Sequence, residues 1–113
     1  MGFFFSINLL FARFYILGDI AIDSNDNLFV VDQGNHKIKK VTPAGFVTSF
    51  AGNGSAGSQN GTGVNAQFSS PVGIAIDAND NIFVSDAQNH RIRKITPSGV
   101  VTTYTGSTQG YQN

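Results

Sequence analysis

The chain contains no cysteine, no tryptophan, no glutamate and a single methionine in 113 residues. The lack of cysteine excludes a disulfide scaffold and a thiolate metal site, and it leaves the redox compartment undecided. Charged residues make up only 12% of the chain, about half the usual share, and their signs balance to a net charge of zero. The overall charge therefore does not point to a nucleic acid or an anionic membrane as a partner.

Glycine and phenylalanine are abundant, with 13 and 10 residues. This composition favours many short strands joined by tight turns. The length suits one ordinary domain.

The strongest pattern is an internal repeat with a period of fifty-four residues. When residues 12–52 are aligned on 66–106, twenty-two of forty-one positions are identical. Such a period predicts a stacked architecture, in which each repeat needs neighbours to cover its core. All but two of the charged residues, Arg13 and Asp19, fall at matching positions in the two copies. They are Asp23, Asp26, Asp32, Lys37, Lys39 and Lys40, and then Asp77, Asp80, Asp86, Arg91, Arg93 and Lys94.

Each copy divides into four apolar or β-branched runs. In the first copy the runs span about 19–23, 27–32, 36–42 and 45–51, and in the second about 73–77, 81–86, 90–96 and 99–105. Asn-Asp-Asn segments and Pro-x-Gly segments lie between runs and favour tight turns. Short strands joined in this way make an antiparallel meander. A repeated four-stranded meander predicts an all-β fold built of β-propeller blades.

The residues at these positions resemble the NHL repeat family. The resemblance rests on the runs at 73–77, 83–86 and 89–95, with Pro97 and Gly99 behind them. The glycine-rich stretch from Ala51 to Pro71 is similar to the long linker of a bacterial and cell-surface subclass. The resemblance implies a propeller, typically six-bladed, and slightly favours a secreted or cell-surface location. It does not imply an activity.

The repeat divides the chain into five segments. We expect an atypical segment at 1–11, a first blade at 12–52, a linker at 53–72, a second blade at 73–106 and the start of another linker at 107–113. Two blades cannot close a ring of four to eight. We therefore expect an incomplete ring, with the other blades supplied by a longer parent chain or by self-association.

The N-terminal segment 1–11 stands where the second copy has its glycine-rich linker. It lacks a basic start and a cleavage site, and Arg13 interrupts the apolar stretch, so it fits a secretory signal poorly. The run is also too short for a membrane span. We expect a non-native start of the reading frame, with a weak signal or anchor as the alternative.

Two motifs resemble ligand-binding sequences but lack residues that binding needs. Gly52-x-Gly54-x-x-Gly57 matches a dinucleotide fingerprint, but no helical run follows to receive a phosphate. We therefore expect a flexible inter-blade loop at this stretch. The Asp23-x-Asn25-x-Asn27 pattern and its repeat begin like a calcium loop, but lack the later glycine and glutamate. We therefore predict no cofactor and no metal site.

A set of repeated polar residues is predicted to have a structural role, in turns and hydrogen bonds. The two histidines belong to it, because equal positions on neighbouring blades do not converge on one metal. The set comprises Asp23, Asp32, Asn35, His36, Asp77, Asp86, Asn89 and His90.

The best candidate for partner binding is the basic third strand of each copy. Its residues are Lys37, Lys39, Lys40, Arg91, Arg93 and Lys94. We expect a non-catalytic binding scaffold whose partner is a protein. One alternative is that the chain is a portion of an NHL-related enzyme, such as a metal-dependent lyase or a lactonase-like hydrolase. Another is an RNA-binding propeller, although aromatic residues that would stack on bases are not interleaved with the basic positions.

Overall fold

The computed structural model describes residues 17–106, and the predictions for residues 1–11 and 107–113 lie outside this range. The all-β prediction is confirmed: the described residues form nine strands in two antiparallel sheets, with no α-helix. The strands are β1 Leu17–Ile22, β2 Leu28–Asp32, β3 Lys37–Val41, β4 Val47–Ala51, β5 Gly61–Thr62, β6 Pro71–Ile76, β7 Ile82–Asp86, β8 Arg91–Ile95 and β9 Val100–Gly106.

The first sheet is a meander in the order β1-β2-β3-β4. The turn between β1 and β2 is held by Asp23, whose Oδ1 accepts the backbone N–H groups of Asn25 and Asn27 at 2.9 and 2.8 Å. Asp26 takes a positive φ of 65°, which aspartate tolerates better than most residues. Asp77 repeats these bonds in the second copy.

The second sheet has five strands, in the order β5-β9-β8-β7-β6, rather than the four predicted. The extra strand comes from the linker: Gly61 and Thr62 pair with Val101 and Val100 at the outer edge. The inner strand β6 begins at Pro71, inside the segment predicted as linker. The linker thus folds onto the second blade instead of forming a bare loop.

The two sheets stack face to face. We call face A of each sheet the side that carries Ala21, Phe29, Val31 and Ile38 in the first sheet, and Ala75, Phe83, Ser85 and Ile92 in the second. Face B is the opposite side, with Ile20, Ile22, Leu28 and Val30 in the first sheet, and Ile74, Ile76, Ile82 and Val84 in the second.

The main core lies between face A of the first sheet and face B of the second. Ala66 and Phe68 of the linker complete it, and both are fully buried. Each large aliphatic or aromatic side chain buried here contributes about 1.5–3 kcal/mol. A smaller cluster of Leu28, Val30 and Val41 lies on face B of the first sheet.

Candidate functional site

The predicted basic strand residues do not share one surface. Lys39 pairs across the sheet with Val30, and Lys40 with Phe29. Since cross-strand partners share a face and successive residues alternate, Lys39 lies on face B and Lys40 on face A. The Lys40 ammonium accordingly lies 5.9 Å from the Phe50 ring centroid. Because side chains alternate along a strand, the basic residues are divided between the two faces of each blade.

Arg93 does not lie on the surface at all, because it is 0% exposed. Its Nη1 lies 2.8 Å from Oδ2 of Asp86, which is equally buried. Its guanidinium also lies 5.2 Å from the centre of the Phe68 ring. The prediction of a partner-binding role for Arg93 is therefore corrected: the residue is part of the interior.

Arg93 holds the linker against the second blade. Its Nη1 donates to the carbonyl of Gln67 at 2.6 Å, and its Nη2 donates to the carbonyl of Gln59 and to Oδ1 of Asn60 at 3.0 and 2.9 Å. A forked guanidinium can make these bonds at once, which a lysine ammonium cannot do in the same geometry. The sequence gives no specific signal of this role, because the change from Lys39 to Arg93 between copies also occurs between Lys37 and Arg91.

Four turns lie together at one edge of the two sheets, and we call this edge the turn rim. They are the β1–β2 and β3–β4 turns of the first sheet and the β6–β7 and β8–β9 turns of the second, residues 23–27, 42–46, 77–81 and 96–99. Ser24 connects the blades at this rim, because its backbone N–H donates to Oδ1 of Asp80 at 3.0 Å and its hydroxyl donates to Oδ2. The rim is thus one connected surface across both blades.

Two carboxyl groups on the rim have a lowered pKa. Desolvation, the largest single effect, raises the pKa of Asp23, but hydrogen bonds from Asn27 and Asn25 and the charge of Lys40 together outweigh it. The same balance lowers the pKa of Asp77, with Asn81, Asn79 and Lys94 as the stabilising groups. The carboxylate oxygens of both aspartates accept hydrogen bonds from N–H groups of their own turns. This arrangement is typical of a tight turn rather than of a calcium loop.

Phe46 is the exposed large apolar residue of the rim, and the residue is 70% accessible. It sits directly before β4, and Val100 occupies the same position in the second blade. Ile22, at the end of β1, is also exposed. The sequence interpretation missed this group; the sole indication was that the repeat tolerates an aromatic residue at a turn position that normally faces water.

The histidines lie at the opposite edge, each after a short 3-10 helical turn. Nδ1 of His36 accepts the backbone N–H of Ser70 at 2.9 Å, which ties the first blade to the entry of β6. His90 has the same left-handed backbone, with φ of 56°, but is exposed. Just before each histidine an asparagine amide donates to the preceding aspartate: Asn35 to Asp32 at 3.0 Å and Asn89 to Asp86 at 2.7 Å.

Two open depressions lie on face A of the second sheet. One, of about 240 Å³, is bordered by Ala75, Phe83 and Ile92. The other, of about 360 Å³, is bordered by His90, Ile92 and Gly106. Both are mostly apolar, as expected for one side of a blade.

Residues 17–106 contain no cluster of three or more histidine and carboxylate side chains arranged to hold a metal ion. The same part of the chain has no helix of the length and apolarity needed to cross a membrane.

Comparison with known proteins identifies repeats of the same kind elsewhere. A family model for the NHL repeat matches residues 68–95. The chain is 43% identical over 64% of its length to Protein SUPPRESSOR OF QUENCHING 1, chloroplastic, of Arabidopsis thaliana. It is 36% identical over 79% of its length to NHL repeat-containing protein 2 of Gallus gallus. It spans only 7% and 12% of the lengths of these two proteins.

Solved structures show the same architecture. A protein of unknown function from Bacteroides thetaiotaomicron superposes with a TM-score of 0.66 at 28% identity, over 73% of this chain and 21% of its own. An auxiliary nutrient binding protein from Bacteroides ovatus superposes with a TM-score of 0.65 at 25% identity, over 77% of this chain and 25% of its own.

Proposed function

This chain belongs to the NHL repeat family, and from that premise we propose that it is a non-catalytic scaffold whose turn rim binds a protein partner. The observation that carries the proposal is the exposure of Phe46 on a turn that the fold holds in place. Aromatic side chains are the commonest anchors of protein interfaces. A phenylalanine that is 70% exposed on a fixed turn is therefore suited to enter a pocket of another protein.

The turn that presents Phe46 is closed by three hydrogen bonds. The Phe46 N–H donates to Oγ1 of Thr42 at 3.1 Å, the Thr42 N–H donates to the Phe46 carbonyl at 3.0 Å, and the Gly45 N–H donates to the Thr42 carbonyl at 2.8 Å. Such a turn loses little conformational freedom when it binds, and preorganisation of this kind raises affinity.

The surroundings of Phe46 also resemble an interface. The exposed Val100 adjoins the rim segment 96–99, and the same rim carries the aspartate turns 23–27 and 77–81. Apolar anchors set among polar residues are common in transient protein interfaces. The division of the basic residues between two faces favours a protein over RNA, because phosphate binding needs positive charge gathered on one surface.

The proposal is tested by comparing the protein with Phe46→Ser in affinity enrichment from cells of its source. Val64→Ser is the matched control, since Val64 is also exposed but lies on the linker. We expect one partner that the unaltered protein and Val64→Ser recover equally, and that Phe46→Ser recovers at least about tenfold less, as for an interface hot spot. Equal recovery by all three proteins would exclude the rim as the binding surface.

A further inference from the structure

We propose that Asn53 is a site of spontaneous deamidation, in which the Gly54 nitrogen attacks the Asn53 side chain and the Ser55 N–H stabilises the charge that develops on its oxygen. The site lies where the first blade passes into the linker. All the groups that the reaction needs belong to three consecutive residues, so no enzyme is required. The proposal is independent of the partner proposed for the turn rim.

The reaction uses only these residues and water. The Gly54 nitrogen gives up its proton and forms a bond to Cγ of Asn53, and the side-chain amide group takes up a proton and leaves as ammonia. A five-membered succinimide ring results, and water opens it at either carbonyl. The products are aspartate and isoaspartate, in which the backbone runs through the side-chain carbon. Both products carry a negative charge at neutral pH, which asparagine does not.

The sequence offers two places where this ring can close readily. An asparagine followed by glycine is the most reactive pair, because glycine has no side chain to hinder the attack and its backbone rotates freely. The chain contains two such pairs, Asn53-Gly54 and Asn60-Gly61. Both lie in the linker and both asparagines are exposed, so the contacts around them must decide which one reacts.

The side chain of Asn53 is folded over the residue that attacks it. Its Oδ1 accepts the N–H of Ser55 at 2.8 Å, which closes a tight turn with Gly54 in the middle. The ring closed by this hydrogen bond contains both Cγ of Asn53 and the nitrogen of Gly54. The bond therefore limits the separation of the two atoms that must join, and such restriction lowers the entropic part of the barrier.

The same hydrogen bond is suited to stabilise the transition state. When the Gly54 nitrogen adds to Cγ, negative charge collects on Oδ1, the atom that the Ser55 N–H already contacts. Enzymes that transfer acyl groups place backbone N–H donors in this way, and loss of one donor slows them by about 100- to 1,000-fold. Water competes with the donor in an exposed loop, so we expect a smaller effect here.

The reacting groups are not restrained by other hydrogen bonds. Within residues 17–106, none is made by Nδ2 of Asn53 or by the N–H of Gly54. A Cβ atom at Gly54 would meet only the flexible end of Lys37, 3.3 Å from Cε and 4.0 Å from Nζ. The loop thus has room for the ring, and the Lys37 ammonium places positive charge near a nitrogen that must lose its proton.

Asn60 is held by contacts that oppose ring closure. Its Oδ1 accepts a hydrogen bond from Nη2 of the buried Arg93 at 2.9 Å. Gly61 is fixed in β5 by pairing with Val101, and a Cβ atom there would lie 3.1 Å from the Asn65 carbonyl. The rotation needed for attack would break both the strand pair and the contact with Arg93. The same dipeptide is therefore reactive at one place in the linker and protected at the other.

Deamidation changes the junction between the first blade and the linker. It adds a negative charge beside Lys37 to a chain whose net charge is zero. The isoaspartyl product also lengthens the backbone by one carbon directly after Gly52, which is packed against the His36 carbonyl. The modification accumulates with the age of each molecule and marks it irreversibly.

The test follows both asparagines over time in the folded protein, at neutral pH and physiological temperature, in water labelled with heavy oxygen. The label enters each deamidated residue when water opens the ring. The linker contains no lysine or arginine, so one tryptic peptide, residues 41–91, carries both sites. Tandem mass spectrometry therefore measures Asn53 and Asn60 in the same molecule. A parallel course in concentrated urea gives their rates without the fold.

We expect Asn53 to react at least about tenfold faster than Asn60 in the folded protein, and the two to react at similar rates in urea. Equal rates in the folded protein would overturn the proposal, and so would faster reaction of Asn60. Asn53→Gln is the control for the assignment, because the longer side chain closes a six-membered ring far more slowly. This variant should lose the acidic species that isoelectric focusing detects in the unaltered protein.

A second variant tests the hydrogen-bond donor. Ser55→Pro keeps the Asn53-Gly54 pair but has no N–H at the next residue. It should slow the reaction of Asn53 at least about fivefold and leave the rate at Asn60 unchanged, which also shows that the linker remains folded. An unchanged rate at Asn53 in Ser55→Pro would refute the role of the Ser55 N–H.

Discussion

Arg93 and Asp86 form an ion pair that is closed to water, with Nη1 and Oδ2 2.8 Å apart and both side chains fully buried. Asp86 also accepts the Ser69 N–H at 2.7 Å and the Asn89 amide at 2.7 Å. One carboxylate thus joins the linker, the end of β7 and the following turn. The pair connects elements that are distant in the chain, which explains why a surface role was predicted for Arg93.

Replacement of Arg93 by alanine should strongly destabilise the protein. It leaves the Asp86 carboxylate buried without its counter-charge, which costs about 3–5 kcal/mol. Arg91→Ala is the matched control, because Arg91 is a half-buried arginine of the same strand; it should cost less than about 0.5 kcal/mol. Urea unfolding followed by circular dichroism measures both, and equal midpoints would show that the buried pair contributes little.

Gly52→Ala should destabilise the first blade more than Gly63→Ala. Both glycines have positive φ, but a Cβ at Gly52 would lie 2.5 Å from the His36 carbonyl oxygen, whereas at Gly63 the nearest atom is 3.7 Å away. We expect about 1–2 kcal/mol for Gly63→Ala from the left-handed backbone alone, and a clearly larger loss for Gly52→Ala. Thermal melts of the two variants provide the comparison, which fails if their melting temperatures coincide.

The two histidines should differ in their contribution to stability although their sequence positions match. His36→Ala removes the acceptor for the Ser70 N–H, and a partly buried hydrogen bond of this kind contributes about 1 kcal/mol. His90→Ala carries the same change at the same backbone conformation, so the difference between the variants isolates the bond. Urea midpoints in dilute solution should therefore fall further for His36→Ala; a larger fall for His90→Ala would contradict this assignment.

Acid should weaken the fold through the turn-rim aspartates. The folded-state pKa of Asp23 lies below its ordinary value of 3.8, so the ionised form is favoured by folding. Its contribution is complete above the unfolded pKa and is lost as pH falls through the folded pKa, below about pH 4. Because the carboxyl is only partly buried, solvent screening holds the effect below about 1 kcal/mol.

The measurement for this prediction is the urea midpoint as a function of pH. Asp23→Asn should show a flatter decline than the unaltered protein below about pH 4 and no difference in slope near neutrality. If both proteins lose stability equally on acidification, Asp23 is not responsible for the decline.

Most of the fold could be predicted from the repeat, since strands and turns depend on residues close together in the chain. The Asp23 and Asp77 turns are examples, because their hydrogen bonds reach at most four residues ahead. The fifth strand could not be predicted, because Gly61 and Thr62 have no strand pattern of their own and become a strand only by pairing with β9. The exposed Phe46 could not be recognised from an apolar pattern that also describes core residues.

By itself, the sequence determined the elements that two copies of a repeat must share: the four-stranded meander, the aspartate turns and the left-handed histidine after each short helical turn. Only the tertiary structure decided what each shared residue touches. It buries Arg93 beneath the linker, and it gives His36 a partner from the next blade while leaving His90 exposed. The physical reason is that backbone conformation is set by neighbours in the chain, whereas burial and long-range hydrogen bonds depend on which sheet or linker lies alongside.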